Sequence, residues 1–274
     1  MIRADGTHRQ AIEAVLSRQP ERAMFPLANL VRHGMAGGHD NATAFWIDDS
    51  VAPTAVLGLT RRGMVLPVWD EGFDVEDAAP CLDGQRICGM AGLAGPVRAL
   101  MSATGLDGAV ARLDRDEPQF LLSLDGLSVP DGPGDLAPVT AFREEVAEWL
   151  MAYERETGTG EPDVAMATAR VDGWIAGDSH RVLVVDGRPV AMTGFNAALP
   201  GIVQVGGVYT PPAARNRGHA RRAVALHLAQ ARQDGATRAT LFAASEAATA
   251  CYRPLGFRRV GTFTLILFDG EVTP

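Results

Sequence analysis

The sequence predicts an α/β (or α+β) protein of two successive modules, each with a mixed, mostly antiparallel sheet flanked by helices. Short apolar stretches rich in β-branched residues alternate with helical patterns along both halves. The length of 274 residues exceeds that of a usual single domain. Residues 128–139 contain three prolines and two glycines, a composition typical of a linker. We therefore expect domains at 1–135 and 136–274.

The second half provides the clearer element pattern. A helix is expected from Ala141 to about Glu156, and residues 181–186 and 190–196 have the pattern of a β-hairpin. A strand from Ile202 must end before Pro211-Pro212, because proline cannot continue a paired strand. The elements expected after it are a helix to about Arg232 stopped by Gly235, a strand at 237–243, a helix at 246–255 and a closing strand at 258–268.

The first half repeats this plan faintly. Helices are expected at about 8–18 and 21–34, separated at Pro20. Strands are expected at 45–50, 55–59, 64–69 and 86–95, followed by a helix with Pro96 in its first turn and a strand at 120–124. This order suggests a degenerate copy of the second half. An unrelated α+β domain is an equally open interpretation, since no motif decides between the two.

Composition limits the function classes. Charged residues make up 21% of the chain and the net charge is −8, which disfavours general nucleic-acid binding. Every basic residue other than histidine is arginine, and with the many alanines and glycines this indicates a bacterial coding bias. No apolar run of about 18 residues and no signal-peptide pattern is present, so a cytoplasmic protein is expected. Cys81, Cys88 and Cys251 lack metal-ligand spacing, so we expect reduced thiols and no metal.

A strand, a basic loop and a helix start come together around Arg215-x-x-Gly218-x-Ala220. Backbone N–H groups at a helix N-terminus, with the positive end of the helix dipole, are suited to binding phosphate. Full positive charges in this stretch come from Arg215, Arg217, Arg221 and Arg222. The local pattern therefore predicts a site for a small polyanion.

The same stretch resembles motif A of the GNAT superfamily of acyl-CoA-dependent N-acyltransferases, Arg/Gln-x-x-Gly-x-Gly/Ala. Residues 245–257, Ser-Glu-Ala-Ala-Thr-Ala-Cys-Tyr-Arg-Pro-Leu-Gly-Phe, resemble motif B of that family. The two motifs occur in the family's order, and the resemblance covers residues 138–268. It implies the GNAT fold for the second half, and a degenerate GNAT-like module for the first half would make the chain a tandem GNAT protein.

The resemblance implies acetyl-CoA as cosubstrate. The pantetheine arm would pair with the backbone of the motif A strand, where Gly206-Gly207 would permit a bulge or a close approach. Asn216 replaces a common glycine but tolerates a left-handed backbone, and Ser245 replaces the usual asparagine as a shorter polar contact. The implied cofactor-binding residues are Val208, Tyr209, Thr210, Arg215, Asn216, Arg217, Gly218, His219, Ala220 and Ser245.

By the same resemblance, Tyr252 would protonate the departing CoA thiolate, although a core aromatic residue is the alternative. Many relatives have a glutamate base where Gln204 stands, and an amide cannot accept a proton at neutral pH. Either the acceptor amine enters the site already neutral, or a chain of water molecules carries its proton to a carboxylate. The candidate carboxylates are Glu154, Glu156 and Asp178, and none carries a signature. His180, His219 and His227 are no stronger candidates, and His227 is expected on the exposed side of its helix.

The sequence therefore predicts an N-acetyltransferase that moves an acetyl group from acetyl-CoA to a primary amine of a small molecule or a peptide. The alternative is a non-catalytic acyl-CoA sensor. A nicotinamide-dinucleotide protein is excluded, because no Gly-x-Gly-x-x-Gly follows the first strand. Neither a nucleic-acid nor a membrane partner is expected, and a monomer and a homodimer both remain open.

Overall fold

The structure, a computed structural model, describes residues 1–274. The chain forms two compact units. The first unit contains Met1–Glu117 and Gly261–Pro274, and the second contains Pro118–Val260. These bounds differ from the expected division at residue 135, since residues 118–135 belong to the second unit and residues 261–274 to the first.

Twelve strands and seven α-helices make up the two units, and short 3-10 helices connect several of them. In chain order they are β1 (Ile2–Arg3), α1 (Arg9–Ser17), α2 (Met24–His33), β2 (Thr43–Ile47), β3 (Ala55–Thr60), β4 (Met64–Trp69), β5 (Ile87–Leu93), α3 (Ala94–Ala103), β6 (Ala111–Ser123), β7 (Asp135–Pro138), α4 (Arg143–Thr157), α5 (Val164–Ala176), β8 (His180–Val185), β9 (Arg188–Leu199), β10 (Ile202–Tyr209), α6 (His219–Gln233), β11 (Arg238–Phe242), α7 (Glu246–Tyr252) and β12 (Arg258–Val272).

In the first unit the strand order is β1-β2-β3-β4-β5-β12. All neighbours are antiparallel except β4 and β5, which are parallel. Helix α3 packs its apolar residues Val97, Leu100 and Met101 into a core that also contains Trp46 and Ile266. The first half thus has the mixed sheet and helices expected of a second module.

In the second unit the order is β6-β11-β10-β9-β8-β7, with β10 and β11 as the parallel pair. Successive residues of β8 point to opposite faces of the sheet. Val182 joins the core beneath α4 and α5, whereas Leu183 packs with Ala223 of α6. Both sides of the sheet are therefore covered by helices, which leaves the strand ends as the place for a ligand.

Strands β6 and β12 are exchanged between the two halves of the sequence. Strand β6 ends the first half of the chain, yet its residues 119–123 pair with β11 in the second unit. Strand β12 ends the second half, yet its residues 263–267 pair with β5 in the first unit. An alternating apolar pattern defines which face of a strand is buried but not which strand it pairs with. This exchange explains why the compact units differ from the expected domains.

The segment 128–139, expected as a linker between domains, lies inside the second unit. Its residues 135–138 form β7 and pair with β8. The guanidinium of Arg222 donates to the carbonyl oxygens of Pro130 at 2.8 Å and Gly134 at 3.1 Å. The prolines and glycines therefore shape an ordered edge of the second unit.

The expected elements of the second half are present, with one helix added. Helix α5 was not anticipated, although Asp163 supplies a recognisable start by accepting a hydrogen bond from the Met166 N–H at 2.7 Å. Ala167 and Val171, four residues apart, bury its inner face. A cap followed by that spacing is the signal that could have located the helix.

Candidate active site

Strand β10 separates from β11 halfway along its length. The two pair in parallel only at residues 202–204 of β10, opposite 238–240 of β11. The register with β9 shifts between Gly206 and Tyr209, and Gly207 has φ of +59°. This β-bulge turns the end of β10 away and leaves one edge of Val208 and Tyr209 without a partner strand. We refer to the unpaired region between the carboxyl ends of β10 and β11 as the cleft.

The two glycines of the bulge are required by close neighbours. A Cβ at Gly206 would lie 2.0 Å from the side-chain nitrogen of Asn196. A Cβ at Gly207 would lie 2.8 Å from Nε2 of His180. No side chain fits at either position without movement of these groups. The expectation that Gly206-Gly207 permits a bulge is thus confirmed.

The loop after β10 leads directly into helix α6. Asn216 has φ of +62° and Gly218 φ of +78°, so both adopt the left-handed backbone that asparagine and glycine tolerate best. His219 begins α6, and no side chain caps its first turn. A Cβ on Gly218 would meet no atom within 4 Å. Free N–H groups, including that of Ala220, therefore lie at a helix start beside open space, the arrangement that binds anions.

The arginines of this loop are less available than the sequence indicates. Nη2 of Arg215 donates to both carboxylate oxygens of Glu156, at 2.7 Å each, and its Nε donates to the Thr210 carbonyl. Arg221 donates to backbone carbonyl oxygens near the end of α7, and Arg222 to those of the 128–139 segment. Only Arg217 makes no hydrogen bond or ion pair. Its guanidinium is therefore the one in this loop that is free to bind an anion. The other three are held by hydrogen bonds within the protein.

The side chain of Tyr209 faces helix α4. Its ring lies 6.3 Å from that of Trp149, and its hydroxyl donates to Glu156 at 3.2 Å. Burial, and then the Glu156 carboxylate, raise the pKa of Tyr209 above its usual value. The phenol therefore stays neutral and fixed in place. Only the backbone of Tyr209 is available at the cleft.

Tyr252 lies at the end of α7, in the core that α6 and α7 form with the sheet. Its side chain is 7% exposed and meets the ring of Phe257 edge to face at 6.0 Å. Burial raises the pKa of Tyr252 far above its usual value, so the phenol keeps its proton. Burial also raises the pKa of the neighbouring Cys251 thiol to about 11. The buried surroundings of Tyr252 and Cys251 thus disfavour a negatively charged thiolate.

Ser245 is the N-cap of α7, and its Oγ accepts a hydrogen bond from the Ala248 N–H at 3.1 Å. Replacing Ser245 with alanine should lower the free energy of unfolding by about 1 kcal/mol, because the first turn loses this bond. Ser245→Asn should keep the stability, since asparagine caps equally well. Urea unfolding of the two variants tests this. Equal stability of Ser245→Ala and the parent protein would contradict a capping role.

The side chains considered as general base are engaged or unsuitable. Gln204 is 2% exposed, and its amide nitrogen donates to the Val205 carbonyl at 2.9 Å. Glu154 is ion-paired with Arg170, and Glu156 is held by Arg215. The remaining candidate, Asp178, is ion-paired with Arg181. No carboxylate of this group is free to take a proton from an amine.

The histidines differ from expectation. His227 was expected on the exposed side of α6, and this is wrong: it is 3% exposed and its ring stacks on Phe195 at 3.9 Å. His180 is equally buried, stacked on Trp174 at 3.8 Å. Burial lowers the pKa of both imidazoles to about 3, so both are neutral. His219 begins α6, where burial and then Arg217 lower its pKa.

Unpaired buried polar atoms are concentrated in the second unit. Five such side-chain atoms have no hydrogen-bond partner, and all lie on β8–β10, directly after β10 or on α6. A buried polar atom without a partner is costly, so native proteins retain few of them. The five are His180 Nε2, Thr193 Oγ1, Gln204 Oε1, Thr210 Oγ1 and His227 Nδ1. Thr210 is the one that the sequence places at the cofactor site.

A bulged strand, its diverging parallel neighbour and an uncapped helix start thus lie next to one another in the second unit. Residues 143–257 match the acetyltransferase (GNAT) family. No curated protein sequence matches the chain. The segment 143–257 therefore belongs to the GNAT family, and the protein is an acyltransferase that uses acetyl-CoA as cosubstrate.

Solved structures with this fold extend over the whole chain. A Drosophila protein covers 97% of each chain at 13% identity with a TM-score of 0.69. A GCN5-related N-acetyltransferase of Sphaerobacter thermophilus covers 99% of this chain and 95% of its own, at 15% identity and a TM-score of 0.59. A tandem GNAT protein from the clavulanic acid biosynthesis pathway covers 100% and 98%, at 15% identity and a TM-score of 0.57. At such identities the likeness establishes the fold, which includes the first half.

None of the seven helices combines the length and the apolar character needed to cross a membrane.

Proposed function

We propose that the protein is an N-acetyltransferase that transfers the acetyl group of acetyl-CoA to a primary amine of a small molecule or a peptide by direct attack. The observation that carries this proposal is the cleft between β10 and β11, which ends at the uncapped start of α6. That the acceptor is an amine rests on what membership of the family implies. In this reading, residues 136–274 carry the catalytic sequence and residues 1–135 a degenerate module.

The pyrophosphate of the cosubstrate is assigned to the loop and first turn at residues 215–220. Backbone N–H groups and the helix dipole there favour negative charge. Arg217 adds a guanidinium that has no other partner, and Arg215 keeps its place through Glu156. His219 and Ala220 contribute main-chain donors, and the left-handed Asn216 and Gly218 give the loop its shape.

The pantetheine arm is assigned to the free edge of β10. Beyond Gln204 this strand has no β11 partner, so the amides of Val208, Tyr209 and Thr210 can pair with the amides of the arm. The buried hydroxyl of Thr210, which lacks a hydrogen-bond partner, gives further support for a polar ligand at this end. Ser245 is assigned a polar contact with the cosubstrate, in addition to the hydrogen bond by which it caps α7.

Proton transfer is assigned to Tyr252 and to the acceptor itself. Tyr252 keeps its proton and would donate it to the sulfur that leaves. Because the nearby carboxylates are ion-paired and Gln204 cannot act as a base, the amine is expected to enter in its neutral form. The proposal includes a cytoplasmic setting in a bacterium, where acetyl-CoA is available, and involves no nucleic acid.

Replacing Gly218 with aspartate should reduce acetyl-CoA affinity by about 100-fold or more, because a carboxylate would face the pyrophosphate across the open space. Gly235→Asp is the matched control. Gly235 also has a positive φ and no atom within 4 Å of a built Cβ, but it follows the far end of α6. Both variants place a non-glycine residue at a positive φ and add the same charge. Calorimetry should show lost binding only for Gly218→Asp, and equal affinities would refute the assigned site.

Catalysis itself is tested by thiol release from acetyl-CoA in the presence of a panel of small amines and short peptides. An N-acetyltransferase releases CoA only when an acceptor is present, and the acetylated amine appears in equal amount. Tight binding of acetyl-CoA without transfer to any amine would favour the alternative, a non-catalytic acyl-CoA sensor.

A further inference from the structure

His180 begins β8, and its ring lies across the neighbouring strand β9. Its partner in the β8–β9 ladder is Gly194, where a built Cβ would overlap Cδ2 and Nε2 of the ring. Nε2 is also the atom nearest to a Cβ built on Gly207, at 2.8 Å. The ring can therefore cross β9 and end at the bulge of β10, because both of these positions are glycine.

The ring of His180 is held in this position on its face and at one of its nitrogens. Trp174 of α5 stacks on it at 3.8 Å, with the two planes 9° apart. Nδ1 lies 2.8 Å from Oγ of Ser179. Nε2 has no hydrogen-bond partner, although the residue is only 2% exposed. Since native proteins leave few buried polar atoms unpaired, a fixed ring nitrogen at the bulge indicates contact with a ligand.

The bulge reaches solvent beside this nitrogen. Val205 packs into the core that α6 covers, so the next residue, Gly206, faces the opposite side of the sheet, where His180 stacks on α5. Gly206 is half-buried. The side chain that lies over it is that of Asn196, which is exposed and whose amide makes no hydrogen bond within the protein. An acceptor that displaces the Asn196 side chain therefore reaches the bulge from the face opposite α6.

The assigned position of the cosubstrate brings its acetyl group to the same bulge. The pyrophosphate is assigned to residues 215–220 and the pantetheine arm to residues 208–210, so the arm runs back along β10 toward residue 207. The thioester follows at the end of the arm. The thioester carbonyl and Nε2 of His180 would thus lie on either side of Gly206-Gly207.

We propose that His180 is a catalytic residue of the acetyl transfer, whose Nε2 takes the proton that the acceptor amine loses. This inference rests on the proposed function. The nitrogen–carbon bond forms as the neutral amine attacks the thioester carbonyl, and the carbon–sulfur bond breaks as the thiolate leaves with the electron pair. The amine proton passes to Nε2 while Nδ1–H donates to Ser179, and Tyr252 gives its proton to the sulfur. His180 then releases its proton to solvent and Tyr252 takes one up, so both return to their starting forms.

The lowered pKa of His180 suits a transient carrier of this proton. Burial lowers it to about 3, so the imidazole is neutral before the amine enters. Such an imidazole is too weak a base to deprotonate an ammonium ion, which agrees with an acceptor that enters neutral. Once the nitrogen–carbon bond has formed, the nitrogen belongs to an N-protonated amide, a far stronger acid than an ammonium ion, and this imidazole can accept its proton.

Turnover on an amine found by the thiol-release panel, together with calorimetry of acetyl-CoA binding, tests this role. His180→Gln should lower turnover by about 10²–10⁴-fold with the acetyl-CoA affinity nearly unchanged, since a base is lost while a polar side chain remains. His227→Gln is the matched control. His227 is 3% exposed, stacks on an aromatic ring and has an unpaired ring nitrogen, but it lies on α6 at the other face of the sheet. The control should lose similar stability and keep most of the turnover.

Chemical rescue separates a base from a packing residue. His180→Ala leaves room for a small ring, and added imidazole should raise its turnover at least tenfold. Pyrazole, a ring of the same size that is a far weaker base, should not. Ser179→Ala is the mildest change, because it keeps the histidine ring and removes only its hydroxyl partner. This variant should stay folded and turn over about fivefold more slowly than the parent protein.

Turnover of His180→Gln at the parent rate would overturn the inference, as would equal losses in the two glutamine variants or equal rescue by the two rings. If urea unfolding shows that the His180 variants do not fold, Ser179→Ala decides, and its turnover at the parent rate overturns the inference. A parent protein that acetylates no amine would contradict the proposed function itself and this inference with it. A transferring parent with unaffected variants would contradict this inference alone.

Discussion

Replacing Tyr252 with phenylalanine should lower turnover by about 10²–10⁴-fold, the usual effect of losing a general acid. The affinity for acetyl-CoA should stay nearly constant, because only a hydroxyl is removed. The fold should persist as well. The Tyr252 hydroxyl makes no hydrogen bond within the chain, and the contact of the ring with Phe257 does not involve it.

Burial raises the pKa of Tyr252 and the pKa of a thiol beside it in the same direction. A phenol transfers its proton readily only when the acceptor has a comparable pKa. Burial disfavours thiolates at the same place, as the pKa of about 11 for Cys251 shows. A leaving CoA thiolate next to Tyr252 would be a stronger base than it is in water. Burial raises the pKa of Tyr252 further than that of Cys251, so proton donation by the phenol depends on a hydroxyl held within hydrogen-bond reach of the leaving sulfur.

Steady-state kinetics on an accepted amine, together with calorimetry of acetyl-CoA binding, measures the effect. Tyr209→Phe is the control, since it also removes one phenolic hydroxyl. That hydroxyl bonds to Glu156 of α4, on the far side of β10 from Tyr252, so the control should alter stability more than turnover. If Tyr252→Phe turned over at the parent rate, Tyr252 would be a packing residue and solvent would protonate the thiolate.

The fragment 136–274 should fail to fold, although it contains the whole motif-bearing sequence. It lacks Phe120, Leu122 and Leu124, which belong to the core of the second unit, and the β6 residues that pair with β11. Loss of one large buried side chain costs about 2–5 kcal/mol. The combined loss is on the order of the entire stability of a domain, about 5–15 kcal/mol. The fragment also keeps Ile266 and Phe268 without the β5 strand that covers them.

The fragment 118–260, which is the second compact unit, is the matched comparison. It keeps the three core residues and omits the strand segment that belongs to the first unit. Circular dichroism and urea unfolding should show a cooperative transition for 118–260, and aggregation or a broad transition for 136–274. Cooperative unfolding of 136–274 with full acetyl-CoA binding would contradict the assigned role of β6.

The sequence predicts local features of this protein well because their causes are local. Pro211-Pro212 ends β10, Gly235 follows the end of α6, and Ser245 starts α7, each through the backbone preferences of one or two residues. The left-handed Asn216 and Gly218 belong to the same group. The order of elements in both halves follows from periodicity in the same way.

The sequence could not show which side chains are free and which are engaged by ion pairs or buried by packing. Nothing near Glu156 in sequence reveals that Arg215, 59 residues later, will occupy it. His227 was expected on the exposed side of its helix, but Phe195 of β9 covers it. Long-range contacts of this kind depend on which elements pack together, and a pattern along one element does not contain that information.

The sequence by itself therefore determined the class of the molecule: an acyltransferase fold, its element order, and the bulged strand and basic loop that precede α6. Only the tertiary structure decided that β6 and β12 exchange places, that the candidate carboxylates are ion-paired, and that Arg217 alone of the loop arginines is free. The physical reason is that backbone conformation is set mainly by neighbouring residues. Strand partners and ion pairs are chosen by burial and charge across the whole chain.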